Sequence, residues 1–321
     1  MSTAYYPAGC FGKLPHFGDF VRHNAASREA RAFDQWIQEG LYFAKGRMRQ
    51  EWGQAFRSSS PYHFVFHPET ADRFLVGILQ PSHDKGEREY PFLVFVQVDR
   101  PRFGSGMTLI PIAFDSFFAG ARALISRANN GVEMRQIPEQ VEELNVSLAV
   151  TARSAEREFD DWISMTTVGQ LFTELFGGFE DPRKFLLFRN LTEILEPLRQ
   201  RGASRFPLGL RFPLSTGRVG YEASFWIELS MSILGNPAIA PVYFWTAAHD
   251  GRPAYLYLFF RQPSSRALTQ LVNPALDNDN ICELDEEGAA NIGGAAGALP
   301  MEYRSLLEKP DTRLQELLID G

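Results

Sequence analysis

Apolar residues recur with strand-like and helix-like spacing in the first part of the chain. In chain order the pattern predicts strands at about 8–12 and 18–22, a helix at 28–48, strands at 62–67, 74–79 and 90–98, and a helix at 112–128. Ser27 is the predicted N-cap of the first helix. The order β-β-α-β-β-β-α indicates an α+β domain, and a charged helix at 138–148 closes it or bridges to the next unit.

The chain beyond residue 150 predicts a second α+β unit with a mixed or antiparallel sheet. After a connector at 150–162 we expect helices at 167–176 and from Asp181 to near Gly202, a strand at 208–214, a helix at 221–235, a hairpin within 241–260 and a helix near 264–272. The segment 221–235 also alternates as a strand does, but its length and its terminal Gly235 favour a helix.

The composition changes after residue 274. The stretch up to residue 300 is first acidic and then rich in glycine and alanine, which predicts a flexible linker. Two short amphipathic segments follow, at 301–307 and 312–318. The predicted organisation is therefore a first domain at 1–150, a second at 151–273, and a linker with C-terminal helices at 274–321.

Composition and charge narrow the class of function. The 321 residues carry a formal net charge of −7, which argues against a nucleic-acid binder and against docking on an anionic membrane. Two cysteines without a C-x-x-C motif give no disulfide framework. A signal peptide and an apolar run of membrane-spanning length are both missing from the sequence. We therefore expect a cytoplasmic protein without direct membrane insertion and without a nucleic-acid partner.

The stretch "QPSHDKGEREYPF" at 80–92 places the three residue types of a hydrolase triad side by side. Adjacent side chains on an extended chain point to opposite faces, so His83 would face away from Ser82 and Asp84. A G-x-S-x-G elbow is also lacking. His63 and His67 share a strand face at about 13 Å, too far apart for one metal ion. We predict no catalytic residue, no metal site and no cofactor.

Two motifs point to a family instead. The string "GCFGKLPHFGDFVRHN" at 9–24 resembles the opening signature of the TagF/ImpM family of Type VI secretion accessory proteins. The matching residues are Gly9, Phe11, Gly12, Lys13, Leu14, Pro15, Gly18, Asp19, Phe20, Val21 and Arg22, with Trp36 in the following helix. The second motif resembles P-S-x-D-x-x-G-R-x-x-P and is matched by Pro81, Ser82, Asp84, Arg88 and Pro91. Glu87 stands where this pattern has glycine.

The resemblance implies a post-translational repressor of secretion-system assembly. Its implied partner is the forkhead-associated-domain scaffold protein of that machine, with other components of the machine as further candidates. It also implies a longin-like fold for the N-terminal domain. The candidate binding residues are Lys13, Asp19, Arg22, Ser82, Asp84 and Arg88, and the other motif residues are interpreted as structural. The alternatives are a structural subunit of the machine and a hydrolase that uses the Ser82 region.

Three expectations concern the arrangement of these residues. Gly12 and Gly18 would permit sharp backbone geometry. Asp19 and Arg22 would be exposed ends of a short strand. Arg88 would pair with Asp19 or Asp84, or would bind a carboxylate or phosphate of the partner.

Overall fold

A computed structural model describes the chain at residues 5–69, 72–100, 106–131, 133–144, 146–147, 152–201, 208–249, 251–276, 279–286 and 289–318. The strands are β1 (Tyr5–Tyr6), β2 (Ala8–Gly12), β3 (Val21–His23), β4 (Tyr62–Phe66), β5 (Arg73–Gln80), β6 (Phe92–Asp99), β7 (Val146–Ser147), β8 (Gly209–Leu214), β9 (Val242–Trp245), β10 (Ala254–Phe259) and β11 (Ile281–Glu283).

The helices are α1 (Arg28–Met48), α2 (Trp52–Arg57), α3 (Ile110–Ala113), α4 (Asp115–Asn129), α5 (Gln136–Glu142), α6 (Ala152–Met165), α7 (Val168–Phe176), α8 (Arg183–Arg201), α9 (Val219–Leu234), α10 (Leu268–Val272), α11 (Ala289–Ala298) and α12 (Met301–Leu307). Short 3-10 helices lie at Arg49–Glu51, Gly106–Leu109, Ser265–Ala267 and Leu314–Leu317. Among the described helices, no single one is long and apolar enough to cross a membrane, although the bent pair Gly106–Ala113 and Asp115–Asn129 meets that test of length and composition when taken together.

Nine of the described strands form one sheet in the order β11-β8-β10-β9-β4-β5-β6-β2-β3. All neighbours are antiparallel except β11 and β8, so the sheet is mixed. The two predicted units meet where β4 pairs with β9, with His63 opposite Trp245. The strands near this seam are apolar at nearly every position, because helices cover both faces of the sheet. The α+β class is confirmed, and the predicted N-terminal order β-β-α-β-β-β-α is found with two additional short elements, β1 and α2. The longin-like name stays a prediction.

The helix α1 joins the two halves of the sheet from one face. Ser27 caps it as predicted, accepting a hydrogen bond from the backbone N–H of Ala30 at 3.1 Å. The Trp36 indole stacks on Phe244 of β9 with 5.4 Å between the rings. Its Nε1 donates to the carbonyl oxygen of Pro263 at 2.9 Å. A motif residue near the N-terminus thus fixes the position of the C-terminal half.

The segment interpreted as a connector is helical where the structure describes it. Within α6, buried Ala155, Phe159, Trp162 and Ile163 recur at helical spacing and pack on the core. The connector prediction is therefore wrong from residue 152 onward, and residues 150–151 lie outside the described chain. The charged residues between these apolar positions form the exposed face of an amphipathic helix.

The segment interpreted as a flexible linker contains β11 and α11. Ile281 and Leu284 are buried, so the acidic stretch is held by two apolar side chains. The alanines that follow favour helix strongly, and Ala295 is buried. Low sequence complexity was therefore a misleading sign of flexibility here. Residues 277–278 and 287–288 of this prediction lie outside the described chain.

Candidate interaction site

The first motif approaches the second because Gly12 has no side chain. Its φ is +132°, and an added Cβ would lie 2.0 Å from the carbonyl oxygen of Pro91. This confirms the prediction for Gly12. The prediction for Gly18 is wrong, because its φ lies outside the left-handed range and an added Cβ would meet no atom within 4 Å. The close approach at Gly12 brings the next residue, Lys13, against the loop that follows β5.

A buried carboxylate, Asp84, lies at the centre of the two motifs. Its side chain is 0% exposed, and Oδ2 lies 2.9 Å from Lys13 Nζ. Oδ2 also accepts a hydrogen bond from Arg88 Nε at 2.7 Å. Oδ1 accepts hydrogen bonds from the backbone N–H groups of Gly86 at 2.9 Å and Arg88 at 3.0 Å. Both oxygens of this buried group are therefore hydrogen-bonded. We call Lys13, Asp84 and Arg88 the Asp84 cluster.

The cluster keeps its central carboxyl group ionised. Burial opposes ionisation, but the hydrogen bond from the Arg88 backbone N–H and the charge of Lys13 outweigh it, and they hold the pKa of Asp84 well below its usual range. Lys13 is itself buried. Buried charges of this kind require partners. The cluster therefore holds the loop between β5 and β6 in one conformation.

Arg88 connects the loop to the first motif and still faces solvent. Its Nη2 donates to the carbonyl oxygen of Gly18 at 2.9 Å, while its side chain is 68% exposed. The backbone N–H of Lys85 donates to the carbonyl oxygen of Phe17 at 2.9 Å. Arg88 thus pairs with Asp84 and not with Asp19, which lies on the exposed surface.

Phe20 and Arg22 extend the solvent-exposed surface around Arg88 towards the edge of the sheet. Phe20 is 43% exposed, and its ring packs edge-on against Tyr90 at 4.9 Å. Arg22, on edge strand β3, lies 3.0 Å from Asp34, which also accepts a hydrogen bond from the Tyr90 hydroxyl. Arg22 lies within β3 and Asp19 precedes it, so they are not the two ends of that strand as predicted.

Glu87, which stands where the resembled pattern has glycine, adopts a backbone conformation that favours glycine. Its φ is +61°, in the left-handed region that side chains other than glycine rarely adopt. Its carboxylate lies 2.5 Å from Arg57 Nη1. A surface ion pair therefore accompanies the strained residue.

The remaining motif residues are mainly structural. Phe11, Leu14, Pro81 and Pro91 are buried, and Pro15 is half-buried. For Gly9, an added Cβ would lie 2.9 Å from the carbonyl oxygen of Asn24. These positions shape the site from beneath and do not contribute polar groups to its surface.

The residues Ser82, His83 and Asp84 do not form a triad. Ser82 Oγ is buried and makes no hydrogen bond with any described residue. The His83 ring bonds to the backbone oxygen of Asp84 through Nδ1 at 3.0 Å, while the Asp84 carboxylate is occupied by Lys13 and Arg88. Within the described parts of the chain, no three His, Cys, Asp or Glu side chains are grouped so that they could hold a metal ion.

The sequence interpretation missed a second buried charge, Arg211 on β8. It is 2% exposed, and its Nη2 lies 2.8 Å from Glu283 and 2.7 Å from Glu286. We call Arg211, Glu283 and Glu286 the Arg211 cluster. A lone arginine within the apolar strand "LGLRFPL" was a usable signal, since arginine is rarely buried without partners. Its acidic partners lie in the segment interpreted as a linker.

Comparison with known proteins matches part of the chain to a family. Residues 9–144 match the family model of the TagF N-terminal domain, described as Type VI secretion system-associated. The sequence matches no curated protein. Among solved structures, the crystal structure of PA0076 from Pseudomonas aeruginosa PAO1 is similar over 84% of this chain and 96% of that one, with 14% identity and a TM-score of 0.48.

Proposed function

We propose that this chain belongs to the TagF family of Type VI secretion-associated proteins, whose N-terminal domain model matches residues 9–144, and that it represses assembly of the secretion system by binding another protein. The proposed partner is the forkhead-associated-domain scaffold component, and the proposed place of action is the cytoplasm. The observation that carries this proposal is the Asp84 cluster, which fixes two family motifs into one rigid exposed surface.

That surface has the composition of a protein-binding patch. Phe20 provides an exposed aromatic ring, and Arg88 and Arg22 provide guanidinium groups that are about two thirds and one half exposed. Aromatic residues and arginine are enriched at the energetic centres of protein interfaces. Because Asp84 and Gly18 already hold Arg88 in place, a partner carboxylate or phosphate would meet a preorganised group.

A deletion experiment separates the proposed repressor from a structural subunit of the machine. Loss of a repressor raises secretion by the system, whereas loss of a required subunit stops it. We expect the deletion strain to secrete more than the parent strain, measured as effector released into the medium. A fall in secretion would overturn the repressor assignment.

A binding experiment tests the partner and the surface together. We expect the purified scaffold protein to retain the wild-type chain, and Phe20→Ser and Arg88→Ala to weaken retention at least tenfold, the loss usual for interface centres. Tyr42→Ala is the matched control, because Tyr42 is an exposed aromatic residue on α1 away from both motifs. Circular dichroism verifies folding of each variant. Equal retention of all variants would refute this surface, and absence of wild-type retention would refute this partner.

A further inference from the structure

Asp34 on α1 joins groups of the proposed binding surface that come from separate segments of the chain. Its Oδ2 lies 3.0 Å from Nη2 of Arg22 on β3. Its Oδ1 accepts hydrogen bonds from the hydroxyl of Tyr90 and, at 2.9 Å, from the side-chain nitrogen of Gln38 on the next turn of α1. Within the described chain, Asp34 is the only carboxylate that forms an ion pair with Arg22. One carboxylate of α1 therefore meets a residue of the first motif, Arg22, and a residue inside the second, Tyr90.

The exposed ring of Phe20 depends on this arrangement through Tyr90. Tyr90 is buried, and its ring packs edge-on against Phe20. Burial, and then the hydrogen bond to Asp34, raise the pKa of Tyr90, so its hydroxyl keeps its proton and donates to Asp34. Lys13 of the Asp84 cluster also lies over the Phe20 ring, with Nζ 5.4 Å from the ring centre. Phe20 thus contacts both the Asp84 cluster and the tyrosine that Asp34 anchors.

Arg22 and Phe20 are exposed side chains whose conformation a partner would otherwise have to fix on binding. Immobilising such a side chain at an interface costs conformational entropy, and a side chain that is already held in place avoids most of that cost. The Asp34 side chain is only 15% exposed, compared with 49% for that of Arg22. Asp34 therefore acts mainly on its neighbours, and its neighbours present the surface.

We propose that Asp34 is a positioning residue of this surface, which holds Arg22 directly, and Phe20 through Tyr90, in the conformation that the partner protein binds. This role rests on the proposed function. It extends the machinery of the surface from β3 and the loop between β5 and β6 to the helix α1, and to a residue outside both motifs.

Two variants of the full chain each remove one half of this arrangement. Asp34→Asn removes the charge that pairs with Arg22, while its amide oxygen can still accept from Tyr90. Tyr90→Phe removes the hydroxyl that anchors the ring, while the Asp34 carboxylate still pairs with Arg22. We expect each variant to lower the affinity for the purified scaffold protein about two- to tenfold, the usual effect of losing one preordered side chain. Circular dichroism verifies that each variant is folded.

Paired substitutions distinguish positioning from a general loss of stability. In an Arg22→Ala background the arginine is no longer present to be positioned, so Asp34→Asn should cause little further loss of affinity. In a Phe20→Ser background, Tyr90→Phe should likewise cause little further loss. Additive losses in these pairs would overturn the proposal, because Asp34 would then act independently of Arg22 and Phe20.

Glu39→Gln is the matched control. Glu39 is an exposed carboxylate on the same helix, and it accepts a hydrogen bond from Gln35 as Asp34 does from Gln38. We expect this variant to bind as the wild type does. If the wild type binds and Asp34→Asn and Tyr90→Phe bind equally well, the positioning role is refuted while the proposed function stands. If the wild type does not bind, the proposed function fails and the positioning role fails with it.

Discussion

The Asp84 cluster and the Arg211 cluster each bury a charged side chain, but they differ in how completely that side chain is hydrogen-bonded. Asp84 has both oxygens occupied, by the backbone N–H groups and the Arg88 side chain of its own loop and by Lys13 from about seventy residues earlier. Arg211 draws its partners from a strand and a loop about seventy residues later, and its Nε is left without a partner among the described residues. A closed cluster fixes local geometry, whereas the open cluster leaves its carboxylates partly exposed to solvent.

Disruption of the closed cluster, the Asp84 cluster, should change stability more than any other substitution considered below. Asp84→Ala should lower the free energy of unfolding by about 3–5 kcal/mol, because Lys13 would remain buried without its carboxylate. Urea denaturation measures this change. Asp19→Ala, at an exposed carboxylate of the same motif, is the control and should change stability by about 0.5 kcal/mol or less. Equal effects of the two variants would show that the cluster is not what holds the loop.

Removal of the central charge from the open cluster should have a smaller effect. Arg211→Met should lower the free energy of unfolding by about 1–3 kcal/mol, because a methionine fills much of the volume. The side chains of Glu286 and Glu283 are 58% and 26% exposed, so water can solvate them when the guanidinium is gone. Urea denaturation also measures this change in the free energy of unfolding. A loss larger than that of Asp84→Ala would contradict the contrast between the clusters.

The two clusters should also respond oppositely to pH. The folded-state pKa of Glu283, about 7, lies above its ordinary value of 4.5, so the folded chain binds more protons than the unfolded chain between these values. This contribution to stability is present at low pH and is lost as the pH rises from 4.5 to about 7. The folded-state pKa of Asp84 is depressed, so its contribution is lost as pH falls into the acid range.

Glu283→Gln isolates the first of these effects. We expect it to remove a decline on the order of 1 kcal/mol between about pH 5 and about pH 8, a small figure because solvent screens this partly exposed side chain. Denaturation curves at the two pH values for the variant and the wild type provide the comparison. An unchanged difference between the two pH values would contradict the raised pKa.

The smallest expected effect concerns the strained residue beside the closed cluster. Glu87→Gly should raise the free energy of unfolding by up to about 1 kcal/mol, because glycine adopts a φ of +61° without the steric penalty. Loss of the ion pair with Arg57 offsets part of this gain. Arg57→Ala measures the ion pair separately, and thermal unfolding reports both changes. A large loss in Glu87→Gly would show that the ion pair outweighs the strain.

Local spacing in the sequence predicted most of the elements and the motifs that match the TagF N-terminal family model over residues 9–144. Periodicity placed α1 with its Ser27 cap, and it placed α7, where the structure adds the reciprocal bonds of Thr167 and Gln170. Length and a terminal glycine correctly favoured a helix for α9, which ends at left-handed Gly235. These features depend on residues close together in the chain, so local spacing is sufficient to predict them.

The way in which distant segments meet follows from tertiary packing and not from local spacing. Tertiary packing paired β4 with β9, so that two predicted domains share one sheet, and it chose Asp84 over Asp19 as the partner of Arg88. It also brought Glu283 and Glu286 to Arg211 from a stretch whose composition suggested a linker. Strand pairing and buried ion pairs join residues far apart in sequence, and the free energy that selects one partner over another comes from burial and close packing, which a linear pattern does not contain.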